Sequence, residues 1–236
     1  MHAFARTIVG YHGCEKSFAD NLLLGKKPIG DWKPSANDWD WLGNGIYFWE
    51  HSPERALRWA REKHKTRRAR PAVLGAILQL GFCFDLLDET TTALLAETYE
   101  RLARTFTERG FELPKNRGRD GKMRYLDCLV VNESLIDMKK RGRDFDTVRG
   151  AFLEGPPVYP GAGFSREGHI QISVRNSACI LGVFRPNILV WKSYVHHHRR
   201  KLRRKFARRT SAFPQNPRAN TSSGWCARAP LTLGAN

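Results

Sequence analysis

Acidic side chains stop at Glu167, whereas basic ones continue almost to the end of the chain. From Asn187 onward there are eleven Lys and Arg residues and no Asp or Glu. A basic run followed by a Pro/Asn/Ser/Thr-rich stretch offers no periodic apolar face to bury, so it cannot build a core. The expected organisation is therefore one ordered domain over residues 1–195 and a basic, disordered tail over residues 196–236. Of the net charge of +17, eleven charges lie in that end, which leaves +6 for residues 1–186. The sequence pI of about 10.1 thus argues for an anionic partner, such as nucleic acid, near the tail more than at the body.

The body has the means to fold. With 236 residues, 41% of them hydrophobic and 27% charged, the chain supports one well-cored soluble domain and excludes a collagen-like or wholly disordered protein. Its five cysteines, Cys14, Cys83, Cys128, Cys179 and Cys226, are widely spaced and include no C-x-x-C pair. That argues against a zinc site or a disulfide framework and for a reducing, cytoplasmic setting. No metal is expected: the adjacent His196, His197 and His198 point in different directions and make a poor ligand set. No run approaches 18 apolar residues, and the first ten residues are too short and polar for a signal peptide, so no membrane association is expected.

Short apolar runs alternate with helical stretches, which predicts an α+β fold. Strands are expected at residues 7–12, 72–84, 170–174 and 179–185, the last two separated by a turn at Asn176 and Ser177. A helix should start at Ser52, an N-cap residue followed by Pro53, with Ala56, Leu57 and Ala60 at helical spacing. Residues 90–109 and 125–138 have helical composition, with Leu94, Leu95, Tyr99, Leu102 and Phe106 marking one stripe. There is no internal repeat.

Three segments are not explained by packing alone: Tyr11-His12-Gly13, then Leu42-Gly43-Asn44-Gly45-Ile46-Tyr47-Phe48-Trp49-Glu50 with the Ala56/Trp59 helix behind it, and His169-Ile170-Gln171-Ile172-Ser173-Val174. In this order, over about residues 8–183, they resemble the ADP-ribosyltransferase superfamily of the poly(ADP-ribose) polymerase and diphtheria-toxin type. The resemblance implies a split β-sandwich of two mostly antiparallel sheets with surrounding helices, and NAD as co-substrate bound in the cleft between them. His12 would hydrogen-bond the adenosine-side ribose, and Gly13 would offer its backbone to the nicotinamide carboxamide. Tyr47 would stack on the nicotinamide ring, with Gly45, Tyr11 and Trp59 completing the donor site. Gly43 and Gly45 would keep the strand entry clear of side chains.

Gln171 stands where that family has its catalytic Glu. Glutamine can hydrogen-bond a ribose hydroxyl, but it brings no charge and cannot act as a general base. A helper carboxylate is therefore expected, with Glu154 first and Glu167 and Glu50 behind it. Bacterial toxins and phage-defence effectors of this fold are the nearest functional analogy, and they imply a neutralising antitoxin partner. The charge, Gln171 and the tryptophans of residues 30–42 point to a nucleic-acid acceptor, RNA or DNA. Trp32, Trp39 and Trp41, if exposed beside Lys26, Lys27 and Lys33, would suit stacking on unpaired bases. A second basic cluster, residues 63–70, adds to this. Mono-ADP-ribosylation of a protein, or binding of NAD, ADP-ribose or RNA without chemistry, are the alternatives. Each segment taken singly also has a packing explanation, a strand-end histidine or a glycine turn; their joint order favours a site.

Overall fold

The apolar runs of the sequence become seven strands because each can bury at least one face. The computed structural model describes residues 4–65, 69–118 and 121–187. In chain order these form β1 (Phe4–Glu15), α1 (Lys16–Leu23), β2 (Ile46–Glu50), α2 (Pro53–Lys63), β3 (Pro71–Gly81), β4 (Cys83–Asp85), α3 (Glu89–Glu108), α4 (Tyr125–Lys140), β5 (Thr147–Phe152), β6 (His169–Val174) and β7 (Ile180–Phe184). The described residues form a mixed α/β structure with one seven-stranded sheet, in the order β4-β5-β6-β2-β1-β3-β7. Only β4 and β5 run parallel; the other neighbours are antiparallel.

Hydrogen bonding thus links the strands into one sheet, where two separate sheets were expected. The link at its centre is narrow: β1 and β2 pair only at Gly10–Glu50 and Tyr11–Trp49. On its other side β1 stays in register with β3 as far as Glu15–Pro71. Cross-strand partners share a face, and alternate residues of a strand do too. Tyr11, Gly13, Tyr47, Trp49, His169, Gln171, Ser173 and Phe152 therefore lie on one face, and His12, Phe48, Arg149 and Ile172 on the other.

Helices cover the two faces unequally. On the first, α2 packs over β1 and β3 through Ala56 beside Trp49 and Val73, while α4 lays Val131, Leu135 and Met138 against Phe84 and Val148. On the second, α1 buries Ala19 and Leu22 in the main core with Ile8, Phe48, Leu74, Leu78 and Ile172. On the second face β3 is buried from Leu74 to Leu80, whereas on the first face its cover ends at Gly75 and leaves Ile77 and Gln79 exposed, so one polar residue interrupts its apolar run.

The expected helices at residues 90–109 and 125–138 correspond to α3 and α4. Ser52 does precede α2, but its side chain makes no cap hydrogen bond. The single strand expected over residues 72–84 is divided at Phe82 into β3 and β4. Two elements had no sequence expectation. The eight-residue α1 has no side-chain cap at Glu15, and β5 sets Thr147, Arg149 and Gly150 among three apolar residues.

Cys14, Cys83, Cys128 and Cys179 are free and buried. Burial pushes the Cys14 thiol up to about 12 and the other three to about 11, which leaves them protonated and unreactive. No helix among the described residues is long and apolar enough to cross a membrane. The proposed tail, including the basic run from Arg199 to Arg209, lies outside the described residues, as do Thr66, Arg67 and Arg68 of the second basic cluster.

Candidate functional site

The site begins where β1 and β2 part. His51 N donates to Val9 O at 3.1 Å on the β2 side, and Lys16 N donates to Arg70 O at 2.8 Å on the β3 side. Backbone groups alternate in direction along a strand, so the odd-numbered residues of β1 turn toward β2. The last β1–β2 pair is Tyr11–Trp49. Gly13, two residues on, therefore directs its N–H and C=O into the gap. A backbone donor and acceptor side by side match a primary carboxamide, the group the resemblance assigns to this position.

Gly13 also has a packing reason. A Cβ built on it would come within 2.2 Å of Ala56 O and 3.2 Å of Ala60 Cβ, so the close approach of α2 depends on its absence. The same holds for the second glycine pair. A Cβ on Gly43 would meet Asn132 Oδ1 at 2.5 Å, and one on Gly45 would meet Ser173 Oγ at 2.1 Å. Protein atoms fill the space beside both glycines, where the sequence reading left room for a ligand.

His12 stands on the opposite face but reaches across the parting. Its Nδ1 lies 2.7 Å from Tyr47 O. A carbonyl only accepts, so Nδ1 carries the proton and Nε2 is the nitrogen left for a ligand. Around the ring are Trp32 at 4.8 Å, Phe48 at 5.8 Å, Phe18 at 6.4 Å and Trp59 at 6.5 Å between centroids. Trp32 is 5% exposed, so it is a wall of this cage and no platform for a base. Trp39 packs on Tyr125 at 6.0 Å, and Trp41 packs on Phe152 at 4.7 Å with the Arg124 guanidinium 4.2 Å over its ring. The tryptophans thus straddle the fold, with Trp39 the most exposed of them at 40%.

Tyr47 holds the loop before its own strand. Its Oη donates to Gly43 O at 2.6 Å and accepts from Leu42 N at 2.8 Å. Burial pushes the phenol well above its ordinary range, so it stays neutral. Replacing Tyr47 with Phe would leave both backbone groups without this partner and is expected to cost about 1–3 kcal/mol. Thermal melts of the two proteins check this, and equal midpoints would contradict it. Nearby, Tyr11 meets Phe184 edge-on at 6.3 Å, and Trp59 lies 5.6 Å from Trp49. Trp49 is 5% exposed and its indole N–H has no hydrogen-bond partner.

Gln171, 7% exposed, is the cross-strand partner of Trp49. Its Nε2 lies 2.8 Å from His169 Nε2. Glu154 and Glu167 flank the loop that joins β5 to β6. Glu154 pairs with Arg55 of α2 and lies 3.8 Å from His169 Nδ1. Glu167 accepts from Arg55 at 3.1 Å and lies 3.2 Å from Arg58. The preferred helper carboxylate is thus brought beside the His169–Gln171 pair, with its charge offset by Arg55. Glu50, the third candidate, faces the other way and pairs with Arg149 at 2.8 Å.

Sequence reasoning missed His169 as a partner of Gln171. Its signal is the i, i+2 spacing on one strand, which places both side chains on one face. His12 and His169 are both lowered to about 4, by burial above all. The unfolded chain, with ordinary values near 6.5, then binds more protons between about pH 4 and 6.5, so stability falls on acidification through that window. The slope approaches about 1.4 kcal/mol per pH unit for each histidine, and the curve flattens above about pH 7. Urea titrations across this range read it directly; stability independent of pH there would refute the burial of both rings.

A cavity of about 560 Å³ between α3 and α4, lined by Arg101, Arg104, Ser134 and Asp137, lies on other elements than these residues. No group of three or more metal-ligating side chains is found among the described residues. The chain matches no family model, no curated protein and no solved structure.

Proposed function

We propose that this protein is an NAD-dependent ADP-ribosyltransferase, a glycosyltransferase that releases nicotinamide and passes ADP-ribose to nucleic acid. One observation supports the reading most strongly. Beyond Tyr11–Trp49 the strands part, leaving the Gly13 backbone pair at the gap on the face that also carries Tyr47 and Gln171. The finer architecture belongs to the same proposal: the single hydrogen-bonded sheet divides at this junction into the two halves of a split β-sandwich. So does a catalytic domain over residues 1–195 with a basic tail over residues 196–236.

In this reading Gly13 N–H and C=O take the carboxamide of NAD, Tyr47 supports the nicotinamide ring and His12 Nε2 serves a ribose hydroxyl. Tyr11, Trp59 and Gly45 border the site. The bond from the ribose C1′ to the nicotinamide nitrogen breaks, and its electron pair leaves with neutral nicotinamide. The acceptor's lone pair forms the new bond to C1′, and the acceptor's proton goes to solvent. Gln171 cannot take that proton, so the acceptor must attack as a neutral lone pair, which a nucleobase nitrogen offers. Glu154, held by Arg55 beside the His169–Gln171 pair, is the carboxylate placed toward the cation that develops on the ribose, with Arg55 offsetting part of its charge. An effector of this kind would act in the cytoplasm as a toxin or defence protein and need a neutralising antitoxin partner.

Incubation of the full chain with NAD labelled in the adenylate, together with RNA, DNA and cell protein, tests this. Label on RNA or DNA with matching nicotinamide release is the expected result. Label on protein alone would sink the nucleic-acid acceptor, and absence of nicotinamide release would reduce the chain to a binding module. Tyr47→Ala should abolish the release.

A further inference from the structure

His169 decides what Gln171 can offer a ligand. The two residues project from one face of β6 at i and i+2. The His169 side chain is 2% exposed. Its Nδ1 lies 2.9 Å from Glu167 O, and because that carbonyl only accepts, Nδ1 holds the ring proton. In the neutral ring Nε2 is then a bare acceptor. It lies 2.8 Å from Gln171 Nε2, a contact that is satisfied only when the amide turns its NH2 group to the ring. The carbonyl Oε1 is left over, and it accepts no hydrogen bond from any described residue.

The ring is held on its other sides as well. Phe152 lies 5.7 Å away and Trp41 6.1 Å away between centroids. The charged groups facing it are Glu154 from the end of β5, Glu167 before β6, and Arg55 and Arg58 from α2. Burial, together with the two arginines, outweighs the Glu167 carbonyl and carboxylate and keeps the ring neutral at physiological pH.

We propose that His169 is a positioning residue that locks the Gln171 side-chain amide, so that Gln171 presents an acceptor oxygen and no donor to its ligand. Read with the proposed NAD chemistry, on which this assignment of the ligand rests, that oxygen receives a ribose hydroxyl. Gln171 thereby reproduces the accepting half of a glutamate without the charge. Without the lock the amide is free to turn over and offer NH2 instead. A group that must first be turned forfeits the benefit of preorganisation, which falls on turnover more than on binding.

The test uses the full-length protein and two variants. Long-range proton–nitrogen NMR of the histidine rings reads the tautomer directly. The expected result is a protonated Nδ1 on His169 and a Gln171 side-chain amide proton that is shifted and slow to exchange. His169→Leu removes the acceptor, and the Gln171 amide should then exchange like a free one. In the NAD assay its kcat should fall about tenfold to a hundredfold with KM for NAD moved less than about threefold. His169→Gln restores an acceptor oxygen and should recover most of that loss. A proton on Nε2 in the wild type, or a Gln171 amide unchanged by His169→Leu, would overturn the proposal. Should His169→Leu fail to fold, the wild-type tautomer and amide exchange decide alone. If the lock is seen but no NAD is consumed, the lock stands and the NAD reading falls.

Discussion

Arg149→Leu is expected to lower stability by about 3–5 kcal/mol, because it strips the partner from two carboxylates in the body of the sheet. Arg149 is 5% exposed; its Nε donates to Glu50 at 2.8 Å and its terminal nitrogen to Asp85 at 3.1 Å. The Glu50 side chain is 8% exposed and that of Asp85 22%. Burial works against the guanidinium charge, but the two carboxylates more than offset it and hold Arg149 above its ordinary value. A leucine fills much of the volume and leaves both anions facing each other, with the half-exposed Arg6, 3.9 Å from Glu50, as a weak remaining counter-charge. For a domain of this size the loss corresponds to a fall in Tm of roughly 6–20 °C. Replacing Glu50 and Asp85 by apolar residues in the same chain should recover most of it, since a missing pair costs less than half of one. A Tm shift under about 2 °C for the single variant would show that the three groups are wetter than the fold implies.

Gly13→Ala is expected to destabilise by about 1–3 kcal/mol or more and to displace α2. The nearest obstacle to the new methyl is Ala56 O, a backbone atom that no rotamer change moves. Adding Ala60→Gly should therefore not rescue the variant, because it clears only the most distant contact and leaves the two with the Ala56 backbone. The displaced helix carries Arg55, Arg58 and Trp59, so ion pairs to Glu154 and Glu167 should loosen with it. Melting curves and the exchange of α2 amides read the two effects. An unchanged midpoint would mean that α2 does not sit as close to β1 as described.

Much of this was legible in the sequence where one local rule decides. Pro53 after Ser52 marked the start of α2, the apolar stripe of residues 90–109 marked α3, and the apolar helical composition of residues 125–138 marked α4. The Gly-Asn-Gly-Ile-Tyr-Phe block and the late His-Ile-Gln strand stood out, and β2 and β6 lie side by side. What stayed hidden depends on distant partners. Arg149 disguises β5 as a polar segment, because its counter-charges come from β2 and β4. Trp32 reads as a loop aromatic among lysines, yet it is buried against Phe18, Phe48 and His12. The second meaning of Gly13, Gly43 and Gly45 as contact points for α2, Asn132 and Ser173 is equally invisible without the fold. So is the tautomer of His169, which a single carbonyl sets.

The short ladder between β1 and β2 has a thermodynamic side. Most inserts into a sheet must first break the hydrogen bonds between two strands, and that work is subtracted from whatever they gain. At Gly13 no backbone rung has to be unzipped, since the rungs stop at Tyr11–Trp49 and it is the His12 side chain that bonds Tyr47 O across the parting. In the proposed reading, a planar amide entering there would add the next rung and behave as one residue of a missing strand. A guest that bridges the gap should also stiffen the sheet along its full width, so that both halves resist unfolding as one unit.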